Sequence, residues 1–194
     1  MTFTLVPRLA LGIAGALCAS QAALAATIGF SGLPGATADP FGTYVEAGFT
    51  VSARFGDWRE AHTHGAPLPS LYVEDLRASP FGSIEVRNGS LFSFTSLDLD
   101  AYLSPLGYEI TGWRGGSAVF DIAANRPAGD FLTIANTSSS LVIDRLTIDV
   151  SSAGPGSFNL DNIRVSAVPE PGSYALLLAG LGLLGMLVTR RRRG

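Results

Sequence analysis

Between residues 27 and 166 the chain is a succession of short runs rich in Val, Ile, Phe, Thr and Tyr. Gly, Pro, Asn and Asp break the runs apart. Such runs between turn residues predict strands, and no long run at helical spacing interrupts them. The predicted strands are 27–30, 44–54, 70–73, 83–87, 91–99, 108–113, 118–123, 131–136, 141–150 and 157–165. Strands at this spacing predict an all-β fold, an antiparallel β-sandwich of jelly-roll-like form.

Alternation sharpens that expectation. Leu146, Ile148 and Val150 share one side of their strand, and Arg145, Thr147 and Asp149 take the other. Two runs change phase midway. Phe92 and Phe94 have one parity, Leu97 and Leu99 the opposite; Phe158 and Leu160 likewise give way to Ile163 and Val165. A strand can keep both halves on the core only by inserting a residue, so bulges are predicted near Thr95-Ser96 and Asp161-Asn162.

The two ends follow a different pattern. Arg8, an apolar stretch from Leu9 to Leu17 and the small residues Ala23-Leu24-Ala25-Ala26 form a secretory signal peptide over residues 1–26, cleaved after Ala25 or Ala26. Its apolar run is too short to span a bilayer. At the other end, residues 173–189 are apolar and long enough for one marginal transmembrane helix, and Arg190, Arg191, Arg192 and Arg193 hold its far side in the cytoplasm. The domain at 27–166 is then exported, to the cell envelope, outer surface or extracellular matrix.

Charge excludes one class of partner. The whole chain carries a formal −3, but the terminal arginines mask a more acidic middle, where fifteen carboxylates face eight arginines for a formal −7. Nucleic acid needs a basic footprint and is not an expected partner. Cys18, in the leader, is the chain's one cysteine, so the mature domain folds without disulfides.

The tail reads Val168-Pro169-Glu170-Pro171-Gly172, then the apolar segment, then the arginines. In this order it resembles the PEP-CTERM sorting signal of exported Gram-negative proteins, spanning 167–194 with its motif at 168–172 and its Arg-rich tail at 190–194. The resemblance implies processing by an exosortase, a membrane cysteine protease-transpeptidase, with Pro169, Glu170 and Pro171 as recognition residues in a substrate. The membrane helix is then an intermediate anchor.

Three phrases of the middle domain resemble galactose-binding-like and carbohydrate-binding β-sandwich modules: 44–51, 108–113 and 160–165. The last, Leu160-Asp161-Asn162-Ile163-Arg164-Val165, is similar to their closing strand, whose aspartate helps ligate a structural calcium. That implies Asp161 as a calcium ligand with Glu46 and Asp39 as its companions, since a hard cation takes six to eight oxygens. The alternative is that Asp161 accepts backbone N–H groups freed by the bulge.

Candidate ligand chemistry lies in the loop from Phe55 to Gly65. Trp58 offers an aromatic platform for a sugar ring, and Asp57, Arg59 and His62 offer hydroxyl partners. The alternative is an ordinary surface loop with Trp58 tucked against the sandwich. His62 and His64 suit zinc by spacing but lack further Cys or His ligands. Gly180, Gly182 and Gly185 match a dinucleotide fingerprint only inside an apolar helix, without a βαβ unit. Ser117 lacks the Gly-x-Ser-x-Gly frame of a nucleophile elbow. The expectation is a non-catalytic protein, associated with carbohydrate or exopolysaccharide or else purely structural. The rival class is a secreted hydrolase using Asp57, Glu60 or Glu74.

Overall fold

The alternating runs fold into two antiparallel sheets laid face to face. The computed structural model describes residues 24–168, 178–182, 184 and 185. In chain order the strands are β1 (Leu24–Ile28), β2 (Thr43–Glu46), β3 (Phe49–Phe55), β4 (Arg59–Ala61), β5 (Ser70–Asp75), β6 (Phe81–Arg87), β7 (Phe92–Tyr102), β8 (Leu106–Arg114), β9 (Ser117–Arg126), β10 (Gly129–Ala135), β11 (Val142–Ile143), β12 (Arg145–Ser152) and β13 (Gly156–Ala167). The first sheet runs β10-β7-β13-β5-β4, with β1 on β13 and β11 on β7; the second runs β2-β3-β6-β12-β8-β9.

The core lies between them. Leu71, Val73, Leu97, Leu99, Phe158 and Leu160 from the first sheet meet Val51, Ile84, Val86, Ile110, Leu146 and Ile148 from the second, all buried. Each such side chain contributes about 1.5–3 kcal/mol on leaving water.

Both predicted bulges are present, and they compensate one another. Asp98 pairs with Asp161 and Ser96 with Arg164, so Asn162 and Ile163 together oppose Leu97. One step on, Phe94 pairs with Val165, which leaves Thr95 as the extra residue on β7. Asn162 has φ 48°, a left-handed value that asparagine tolerates better than most residues. One insertion on each strand restores register, and Phe92, Phe94, Leu97, Leu99, Phe158, Leu160, Ile163 and Val165 all lie in the core.

The run at 44–54 is a hairpin rather than one strand. Ala47 and Gly48 sit at φ 50° and 80°, the paired positive values of a tight two-residue turn whose twist suits β2 and β3. The 141–150 run likewise divides into β11 and β12, each on a different sheet. The short strand β4 lies in the loop that carries Trp58.

At the N-terminal end, β1 begins at Leu24, inside the span expected as leader. Ala25 and Ala26 pair with Ser166 and Val165. Leader residues 1–23, the sorting residues Pro169, Glu170 and Pro171, and the arginines at 190–193 lie outside the described residues. Residues 178–182, 184 and 185 are helical, and among the described residues no helix is long and apolar enough to cross a membrane.

Candidate functional site: a groove on the outer face of the first sheet

On β5, β13 and β7 the apolar alternates fill the core, so the polar alternates face outward together. Register aligns them into rows. Asn159 lies between Tyr72 and Asp100, and Ser157 lies between Glu74 and Tyr102. These rows floor a groove of about 750 Å³. Thr37, Thr63 and His64 wall one side; Gly129 and Asp130, at the start of β10, wall the other. Tyr102 is 59% exposed, which leaves its ring free for a ligand.

The groove is held open by two tied loops. On one side, the segment between β4 and β5 is fastened at several points. His62 N–H donates to Thr37 Oγ1 (3.0 Å), Ala66 N–H to Asp161 Oδ2 (2.9 Å), and Ser70 Oγ to the His64 carbonyl (2.7 Å). Asn162 Nδ2 also donates to the Ala66 carbonyl, so the bulge serves as a clamp for this loop. Opposite, the buried Arg126 guanidinium donates to the carbonyls of Leu99, Gly129 (2.9 Å) and Asp130 (2.7 Å), and pins the turn between β9 and β10.

Asp100 is the buried carboxylate of the groove, only 5% exposed. Burial pushes its pKa up, and Asp130 adds to the rise, while the nearby His64 and Arg126 oppose it. His64 Nε2 stands 3.4 Å from Asp100 Oδ2, and its ring stacks on Phe131 at 5.3 Å between centroids. Tyr72 is also raised, by burial first and by Glu74 second. Asn159 Nδ2 donates to Ser70 Oγ (3.0 Å), which fixes its amide. The result is an aromatic and hydroxyl-lined channel with excess carboxylate, a surface able to stack on sugar faces and accept hydrogen bonds from their hydroxyls.

Beside the groove, Arg164 grips Asp98 with two parallel bonds of 2.9 Å, and Thr133 Oγ1 donates to the same carboxylate at 2.6 Å. Burial alone would raise the Asp98 pKa, but the bonds from Arg164, Thr133 and Asn162 hold it below the usual carboxylate value. This pair is structural and joins β7, β10 and β13.

Of the two readings of the loop at 55–65, the structure matches the one in which Trp58 is tucked against the sandwich. Trp58 is 1% exposed, packs edge-on against Phe158 (5.6 Å, 72°), and donates its indole N–H to the Phe55 carbonyl. A large apolar ring beside the open end of the core gains more from burial than from water. Its neighbours divide likewise: Asp57 is bound by Arg59 at 2.6 Å, and His62 Nε2 lies 2.9 Å from buried Glu60. None of these four residues lines the groove.

The implied calcium set is not assembled. Asp161 is fully buried, with one carboxylate oxygen on Ala66 N–H and the other on Asn162 N–H. Glu46 Oε2 accepts the N–H groups of Gly29 and Phe30, and Asp39 accepts that of Ala36. Among the described residues no group of three or more His, Cys, Asp or Glu is placed to hold a metal ion. The bulge leaves donors that Asp161 satisfies, and that explains the residue without an ion.

Comparison with known proteins bears on the tail. Residues 167–193 match the PEP-CTERM protein-sorting motif. No curated protein matches the chain. Among solved structures the chain is similar to a family 29 carbohydrate-binding module from Piromyces equi, with 14% identity and TM-score 0.44 over 76% of this chain and 92% of that one. It is also similar to the family 32 carbohydrate-binding module of C. perfringens NanJ in complex with galactose, at 15% identity, TM-score 0.42, and 64% and 97% coverage. A third is the enzymatically active domain of bacteriophage CBA120 tailspike protein 4, at 18% identity and TM-score 0.39, over 62% of this chain and 20% of that one.

Proposed function

We propose that this chain is an exported, exosortase-processed protein of the cell envelope or extracellular matrix whose sandwich binds carbohydrate without catalysis. The sorting motif at 167–193 supports delivery to the surface. A single observation carries the binding: the open groove whose floor alternates the tyrosines 72 and 102 with Glu74, Asp100, Ser157 and Asn159. Sugars present apolar C–H faces and a ring of hydroxyls. Such a ligand wants flat aromatic surface together with fixed acceptors and donors. Calcium has no part in this reading. A binding role fits the groove better than hydrolysis, because of the acids named for hydrolysis Glu74 alone lines it, while Asp57 is held by Arg59 and Glu60 is buried beside His62.

A glycan array probed with the purified full chain tests the proposal. Retention of oligosaccharides is expected, and Tyr102→Ala weakens it by roughly tenfold or more, as loss of a central aromatic contact does. Release of shorter products points instead to a hydrolase. A silent array points to a purely structural protein.

A further inference from the structure

We infer that the groove selects a cationic amino-sugar polymer, one bearing free ammonium groups, over neutral or acidic glycans. The inference rests on the carbohydrate reading above and adds the charge of the ligand.

The observations are the inventory of charge around the cavity. Three carboxylates line it: Glu74 and Asp130, both exposed, and Asp100, which is buried. Each basic side chain nearby is already engaged. His64 faces Asp100 and stacks on Phe131. Arg126 is buried and spends its N–H groups on the carbonyls of Leu99, Gly129 and Asp130. Arg59, which lies near Tyr72 and Glu74, is held by Asp57 through Nε and Nη2 at 3.0 and 2.6 Å. Lysine is absent from the whole chain. A uronate or sulfate entering this groove would meet acceptors of its own sign with no free guanidinium to receive it.

The acids do not stand alone. They share the cavity with Tyr72, Tyr102, Ser157 and Asn159, groups that suit a sugar ring rather than a bare ion or a lysine chain. An ammonium on each sugar, with a ring face and free hydroxyls, would use both halves of the lining at once. A neutral sugar can stack and donate hydroxyl hydrogen bonds to the acids, but it brings no charge to pair with them.

Calorimetric titration of the full chain in detergent, at about pH 6 and low salt, separates the possibilities. The probes are a β-1,4-glucosamine hexasaccharide, its N-acetylated counterpart, cellohexaose and a lysine hexapeptide. The glucosamine oligomer is expected to bind about tenfold tighter than the other two sugars, as two partly screened ion pairs supply. The gap is expected to close at high salt, and to fall below about threefold in the double variant Glu74→Gln with Asp130→Asn. Equal binding of the three sugars, or preference for either uncharged one, overturns the charge inference and leaves the carbohydrate reading in place. Lysine peptide binding as tightly as the glucosamine oligomer also overturns it. Failure of every sugar to bind removes both.

Discussion

Asp161 and Ala66 lie 95 residues apart in the chain, yet the carboxylate of one accepts the backbone N–H of the other at 2.9 Å. The same aspartate caps Asn162 N–H at 2.7 Å, so one buried side chain joins the bulge on β13 to the loop that walls the groove. Burial pushes its pKa from 3.8 up to about 6, against the two N–H donors that lower it and with Asp98 adding to the rise.

That shift sets a pH dependence opposite to that of most carboxylates. The folded state holds an extra proton between the unfolded and folded pKa values. Stability from this group therefore falls as pH rises from about 4 to about 6, by at most about 3 kcal/mol, and stays lower above. Asp98 has the reverse sign: its lowered pKa gives stability that is present above 3.8 and lost as pH falls through the folded value. Thermal melts should show the wild-type midpoint rising as pH is lowered from about 7 to about 5. Asp161→Asn should flatten that rise, besides lowering the midpoint, because the amide NH2 takes the place of one accepting oxygen and faces an N–H donor. Parallel pH curves for the two proteins would remove Asp161 from this role.

The interior position of Trp58 has its own test. A methyl group at Gly82 would meet the indole Cε2 and Cζ2 at 2.8 Å. The ring cannot retreat, with Phe158 packed on it and its N–H bound to the Phe55 carbonyl. Gly82→Ala should cost about 1–3 kcal/mol in urea unfolding, seen as a shifted midpoint at unchanged slope. If Trp58 instead swung freely in solvent as a sugar platform, the substitution would stay within about 0.5 kcal/mol.

These two residues mark where the sequence was legible. Period-two alternation is a local signal, and a phase change within one run is a local contradiction that one inserted residue resolves. Both bulges, at Thr95 and at Asn162, could be placed on that ground alone. The Ala47-Gly48 turn was hidden because it lacks the Asn-Gly or Asp-Gly pair that marks such hairpins. For Trp58 the sequence left two readings open, sugar platform or tucked against the sandwich, and had no local signal to choose between them. Its burial depends on Gly82 and Phe158, and no spacing within its own loop records where those lie. The groove was missed for the same reason, since Tyr72, Asp100 and Asn159 become neighbours only through register. One trace was present: Asp98 and Asp100 alternate with Leu97, Leu99 and Ala101, and Asn159 and Asp161 with Phe158 and Leu160. Acids and amides at consecutive outward positions of two strands mark a face more specialised than a solvated one.

The central claim is that ligand meets the outer face of the first sheet. Amide chemical-shift mapping of the full chain, titrated with the glucosamine hexasaccharide, tests it most directly. Shifts are expected at Tyr72, Glu74, Asp100, Tyr102, Asp130 and Asn159, with none at Trp113 and Arg145, which stack at 4.6 Å on the opposite sheet. Perturbation centred on Trp113 and Arg145, or an unchanged groove at saturating sugar, would contradict the account.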